Sequence, residues 1–382
     1  MLGRVRLVAV ALAVLALGGS ATGAGTPGPR VAFVHEGKLI VEDIATRTMQ
    51  VVLTDAALGP VGWSGDGRLL SDGNRLVGGP TFPSPPVWAP EGETAAYLST
   101  GGAVRVWTPA GGSRMIISRT WGARSLAWGP GGKLALGRKQ RFGTHQEVWV
   151  WQDGSLRRVE GPLHGDTTPI VEGFAPDGRV LWWNDLFDSG SIRSDGLGLY
   201  ADTTRIGQTL VFPDFVSTCG AHLVYAQGRD RYTTRGKSIV YDGRDVSQDT
   251  TRSWVSPSCD GSTVVAAAGR NWFEPRIGRG ELRAIWQLVP TRAQLTHPPA
   301  GWTDEYPRLL ADGSILFVRT KLTVRGPPGS PTTTAHASLE RLAGDKLTPL
   351  ASLTTTVTDL NARWEPNYYG HYGWPALVAV SP

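Results

Sequence analysis

Apolar residues in this chain come in short alternating runs, most of them entered through the same kind of turn. Trp88 to Gly92 (WAPEG) precedes TAAYLS, Trp128 to Gly132 (WGPGG) precedes KLALG, and Phe174 to Gly178 (FAPDG) precedes RVLWW. Looser copies are Val255 to Gly261 (VSPSCDG) before STVVAAA and Leu309 to Gly313 (LLADG) before SILFV. Within the runs, stretches such as VRVWTP and EVWVWQ alternate with period two, which turns one face inward and the other outward. Proline sets the backbone for a tight turn and glycine supplies its left-handed residue, so the punctuation marks strand ends. Beyond the N-terminus no helical periodicity is sustained, and almost no helix is expected.

Each anchor is followed by three further runs, for example TAAYLS, AVRVWTP and SRMIIS behind Trp88. The anchors fall at 88, 128, 174, about 216, 255, 309 and 364. Four-stranded antiparallel units of forty-odd residues predict an all-β fold, a β-propeller, because one such meander cannot bury both its faces and blades packed around an axis do. Val31 to Thr54 reads as the last three strands of a blade, and the segment from Ala362 to Val380 as an opening strand or two. The expectation is therefore a ring closed by both termini in one composite blade. Val61 to Gly79 reads as a short copy, taken as half a blade. That predicts seven blades, with six or eight as alternatives.

The phrases APEGETAAYL, APDGRVLWW and DEYPRLLADGSILFV resemble the repeat of TolB-type propellers. The resemblance covers most of the chain from about residue 31. It implies the fold and little about activity, since such blades serve scaffolds, transport partners and accessory domains alike. About seven residues separate the N-terminal segment from the first strand, so TolB's N-terminal α/β domain is not expected.

Arg4 and Arg6, an apolar core from Leu7 to Leu17 and small residues through Ala24 read as a secretory signal over residues 1–24. Cleavage is expected after Ala24, leaving residues 25–382 as a single propeller domain, extracellular or periplasmic, with no stable membrane insertion. In an oxidising compartment Cys219 and Cys259, forty residues apart near the turns of adjacent repeats, are expected to form a disulfide.

Candidate chemistry is sparse. The seven histidines form no HExxH or HxH spacing, and Gly62 to Asp66 (GWSGD) falls short of a nucleophile elbow. Asp66, Asp177, Asp260 and Asp312 stand where tight Asp-Gly turns need them. No cofactor is implied, and the metal question stays open. Charge says more: the segments 137–146, 184–196, 227–237, 269–280 and 319–338 join second strands to third strands. They carry fourteen Lys or Arg against five acids, in a chain whose net charge is only +5.

Gathered on one face, these segments would attract an anionic polymer or an acidic protein. The residues singled out are Arg138, Lys139, Arg141, Arg229, Arg231, Arg235, Arg270, Trp272 and Arg276, the tryptophan because aromatics beside cations suit ring stacking. Nucleic acid is a poor partner for an exported protein, and a monomer is expected. The reading is an exported, non-catalytic binding or scaffold propeller. The alternative is a metal-dependent, lactonase-like hydrolase with its site at the central channel, for which Asn184, Asp185 and Asn271 stand near the right strand ends to contribute, though no spacing demands it.

Overall fold

A computed structural model describes residues 28–57, 59–139, 146–163, 167–186, 197–209, 216–227, 238–248, 251–269, 283–325, 332–357 and 378–382. They form eight antiparallel sheets, seven of four strands and one of three, and two single turns of 3-10 helix. Among the described residues no helix is long and apolar enough to cross a membrane.

Blade three runs Val87–Trp88, Ala95–Ser99, Ala103–Thr108 and Gly112–Ile117, and blade four Ala123–Trp128, Leu134–Lys139, Gln146–Gln152 and Ser155–Leu163. Blades five to eight repeat the plan from Thr167–Phe174, Val216–Cys219, Ser253–Cys259 and Thr303–Leu309, their innermost strands. Each blade packs on the next, and the last returns to the first through one apolar cluster. Leu316, Val318 and Leu339 of blade eight meet Val31, Phe33 and Leu39 of blade one in it.

The anchor aromatics are the rivets of this ring. Trp63 Nε1 donates to Ala379 O at 3.3 Å, Trp88 Nε1 to Ser71 Oγ at 3.0 Å and Trp128 Nε1 to Val87 O at 2.9 Å. In each case the acceptor belongs to the preceding blade. Each bond satisfies an indole N–H and pins one wedge to its neighbour while the ring fills the space between sheets.

The blade count is eight, which corrects the expectation of seven. Val61 to Gly79 is a sheet of its own, made of Val61–Trp63, Leu70–Asp72 and Arg75–Leu76. It lacks a regular fourth strand, which is why its anchor stands so close to the next, yet it fills a full wedge because Trp63 and Ser71 bond outward to both neighbours.

Ring closure also differs from the expectation. Trp364, the expected anchor of an opening strand, lies outside the described residues. Among the described residues the C-terminal segment contributes Val378–Val380, paired with Arg30–His35 in a sheet completed by Lys38–Asp43 and Met49–Leu53. Arg30 N donates to Ser381 Oγ at 2.7 Å and Ser381 N returns a bond to Arg30 O at 2.8 Å. The final residues set the seam's register.

Cys219 and Cys259 are bonded to each other, joining the ends of the innermost strands of blades six and seven. The turn aspartates work locally. Asp177 accepts from Arg179 N, Asp260 from Ser262 N and Thr263 N, and Asp312 from Ser314 N, each closing its own turn.

Candidate functional face

Neighbouring innermost strands run in the same direction. Ser125 Oγ of blade four donates to Pro169 O of blade five at 3.0 Å, both third in their strands. Leu309 N of blade eight donates to Ser258 Oγ of blade seven at 3.2 Å near the strand ends. Within a blade, the start of the innermost strand pairs with the end of the second, and that end with the start of the third, as in Ala123, Arg138 and Glu147. The ends of the second strands and the starts of the third therefore lie on one face. In blades one to three the connections between them are tight, at Glu36–Gly37, Gly73–Asn74 and Ser99–Gly102. The long, basic ones belong to blades four to eight.

Of the nine residues singled out from sequence, the described ones are Arg138 and Lys139, adjacent at the end of the second strand of blade four. Arg141, Arg229, Arg231, Arg235, Arg270, Trp272 and Arg276 lie outside the described residues. Arg138 is committed at the base of its connection. Its Nη1 meets Glu147 Oε2 at 2.7 Å, its Nε donates to Trp121 O at 2.8 Å, and its guanidinium lies 4.9 Å from the Trp121 ring. Burial pushes the Glu147 carboxyl up, but hydrogen bonds from Trp149, Arg138 and Arg158 outweigh it and hold the group below its ordinary range.

Blade eight repeats the device. Arg319 Nε and Nη2 donate to the two oxygens of fully buried Asp304 at 2.6 and 2.8 Å, a bidentate pair that raises the Arg319 pKa. Next to it, Arg283 is hydrogen-bonded to buried Glu305. Burial raises the Glu305 pKa in spite of Arg283, and its Oε2 has no hydrogen-bond partner.

Sequence reasoning missed these counter-charges. Glu147 lies one residue beyond the connection it neutralises, and Asp304 sits fifteen residues before Arg319 on a different strand. The available signal was register, since Arg138 faces Glu147 and Arg319 faces Asp304 across paired strands. Two of the fourteen cations are thus already balanced. Lys321, by contrast, is exposed, its Nζ 5.9 Å from the ring of Trp302.

For the channel alternative, Asn184 and Asp185 lie at the end of Val180–Leu186, and Asn271 is outside the described residues. Among the described residues no three of His, Cys, Asp or Glu come together as metal ligands.

Blade repeat and architecture together make this an all-β propeller. No protein-family model matches the chain, and no curated protein matches it. Among solved structures it is similar to TolB from Acinetobacter baumannii, with 10% identity, a TM-score of 0.34, and coverage of 86% of this chain and 66% of that one. A eukaryotic initiation factor matches at 10% identity and a TM-score of 0.47, covering 88% and 87% of the two chains. A structure assigned as a gluconolactonase matches at 14% and 0.28, covering 88% and 92%. The chain spans just under two thirds of that TolB chain. Likenesses this distant carry no argument about activity.

Proposed function

We propose that this protein is an exported binding or scaffold propeller that holds an anionic partner, a polymer or an acidic protein, on the face bearing its long second-to-third connections. The observation that carries the reading is the common exit of those connections. Neighbouring innermost strands are parallel, so the strand ends that flank segments scattered from residue 137 to 338 lie on one rim; in sequence those segments hold fourteen cations against five acids, of which Arg138 and Arg319 are paired with Glu147 and Asp304. Charge of one sign collected on one surface raises the local concentration of oppositely charged partners and speeds their capture. The Cys219–Cys259 bond fits an oxidising compartment and supports export.

The test is retention on an immobilised polyanion across a salt gradient. Wild-type protein should elute later than its small net charge of +5 predicts, and replacing Arg229, Arg231 and Arg235 with Ser should bring elution forward. Passage without retention at low salt would refute the reading.

A further inference from the structure

Blade eight is built on a different scale from the rest. Its second, third and fourth strands are Ile315–Arg325, Thr332–Ala343 and Lys346–Val357, of 11, 12 and 12 residues, whereas the second strand of blade four has 6. The innermost strand stops at Thr303, which pairs with Thr320. Above that level three strands continue together, in the register Lys321, His336, Thr354 and then Thr323, Thr334, Thr356. At about 3.4 Å per residue, five further residues carry this sheet roughly 17 Å above the rim.

Two properties distinguish the extension. It contains no acid: neither 319–338 nor 346–357 holds an Asp or Glu. It also has a defined face toward blade seven. Phe317 is buried against Trp254 and Val265 of that blade. Arg319, two residues on, lies over the Phe317 ring at 5.5 Å, and Lys321, two further, reaches the Trp302 ring. Alternation in a strand keeps these on one side, with His336 opposite Lys321 and Thr334 opposite Thr323.

Trp302 therefore stands at the foot of a sheet face that presents a lysine, a histidine and threonine hydroxyls, with neighbouring strands about 4.8 Å apart. An aromatic ring suits the apolar face of a pyranose, hydroxyls suit its hydroxyl groups, and a cation suits a carboxylate or sulfate. We infer that this face holds an anionic polysaccharide, with a sugar ring at Trp302 and an acidic substituent at Lys321. The inference rests on the anionic-partner reading above and names its ligand class and its place.

The experiment is calorimetric titration of the full chain with a heparin-derived octasaccharide, with inorganic polyphosphate as a second probe. Variants are Lys321→Glu and Trp302→Ala, each checked by thermal unfolding. Lys321→Met, which keeps an unbranched side chain without the charge, separates loss of charge from loss of packing. Wild-type protein should bind the octasaccharide, and Lys321→Glu should weaken it roughly tenfold, the scale of one charge-assisted contact. Lys321→Met should weaken it less, and Trp302→Ala should affect the octasaccharide more than polyphosphate.

Octasaccharide binding unchanged in Lys321→Glu and Trp302→Ala would overturn the inference and leave the anionic-face reading standing. So would binding of polyphosphate alone. Failure to bind either polyanion would overturn both.

Discussion

Gly129 lies flat against the ring of Phe174: a Cβ at 129 would fall 2.2 Å from Phe174 Cδ2 and 2.5 Å from Cε2. Gly129 follows the anchor of blade four, and Phe174 is the anchor of blade five. Backbone conformation does not demand glycine there, since its φ is −130. Contact between blades does. Gly129→Ala should destabilise the protein by about 1–3 kcal/mol, the cost of overpacking a filled core. The urea midpoint, read by tryptophan fluorescence, checks this, and an unchanged midpoint would mean the wedges are loosely packed.

The disulfide closes a loop of forty residues between two blades. In the chain-entropy model its loss should cost about 4 kcal/mol. Replacing both cysteines with Ser should lower the unfolding midpoint accordingly, and reduction should restore two hydrogens to the mass. Two thiols that alkylate without reductant would contradict the bond.

Buried charges cross the seam between blades eight and one. Arg341 Nη1 meets Glu42 Oε1 at 2.6 Å with both side chains almost fully buried, and Arg47 reaches Asp312 at 3.2 Å on the outer side. Glu42→Gln leaves the buried Arg341 charge with Asp312 at 4.0 Å as its remaining acid and should cost up to about 3–5 kcal/mol, whereas Glu42→Leu with Arg341→Met should cost much less. Chemical denaturation of the three proteins decides it, and equal losses would show that packing, not charge, holds the seam.

Val378–Val380 completes the sheet of blade one. A chain ending at residue 377 should lose its single cooperative transition, because the bonds of Ser381 to Arg30 and of Trp63 to Ala379 vanish with it. A sharp, unshifted transition in differential scanning calorimetry would contradict ring closure through this strand.

Acid should unfold the protein partly through Asp242. Burial pushes its carboxyl up, but bonds from His222, 2.6 Å from Oδ2, and from Leu223 N outweigh that and lower its pKa. A lowered folded-state pKa gives stability that is fully present above the ordinary aspartate value and is lost as pH falls through the folded one. Stability of the wild type should therefore drop more steeply below about pH 4 than that of Asp242→Asn. Parallel pH profiles would remove this group from the account.

What could be read from sequence is what neighbouring residues decide. Trp88, Trp128 and Phe174 recur with their Pro-Gly turns because each of these blades places an aromatic wedge before a tight reversal, and both signals are local. The pairing of Cys219 with Cys259 followed from the same repeat, since equivalent positions in adjacent blades are brought close. The number of blades was not local. Val61 to Gly79 reads as half a unit in the sequence, but Trp63 and Ser71 bond to its two neighbours, so it counts as a whole wedge. The charge of the candidate face was not local either. Arg319 reads as a free loop cation in the sequence, and only the approach of two strands sets Asp304 against it. Alternation and turn chemistry act over a few residues and can be read in order along the chain. Wedge count and charge balance depend on which distant strands meet, and that is determined only when the ring closes.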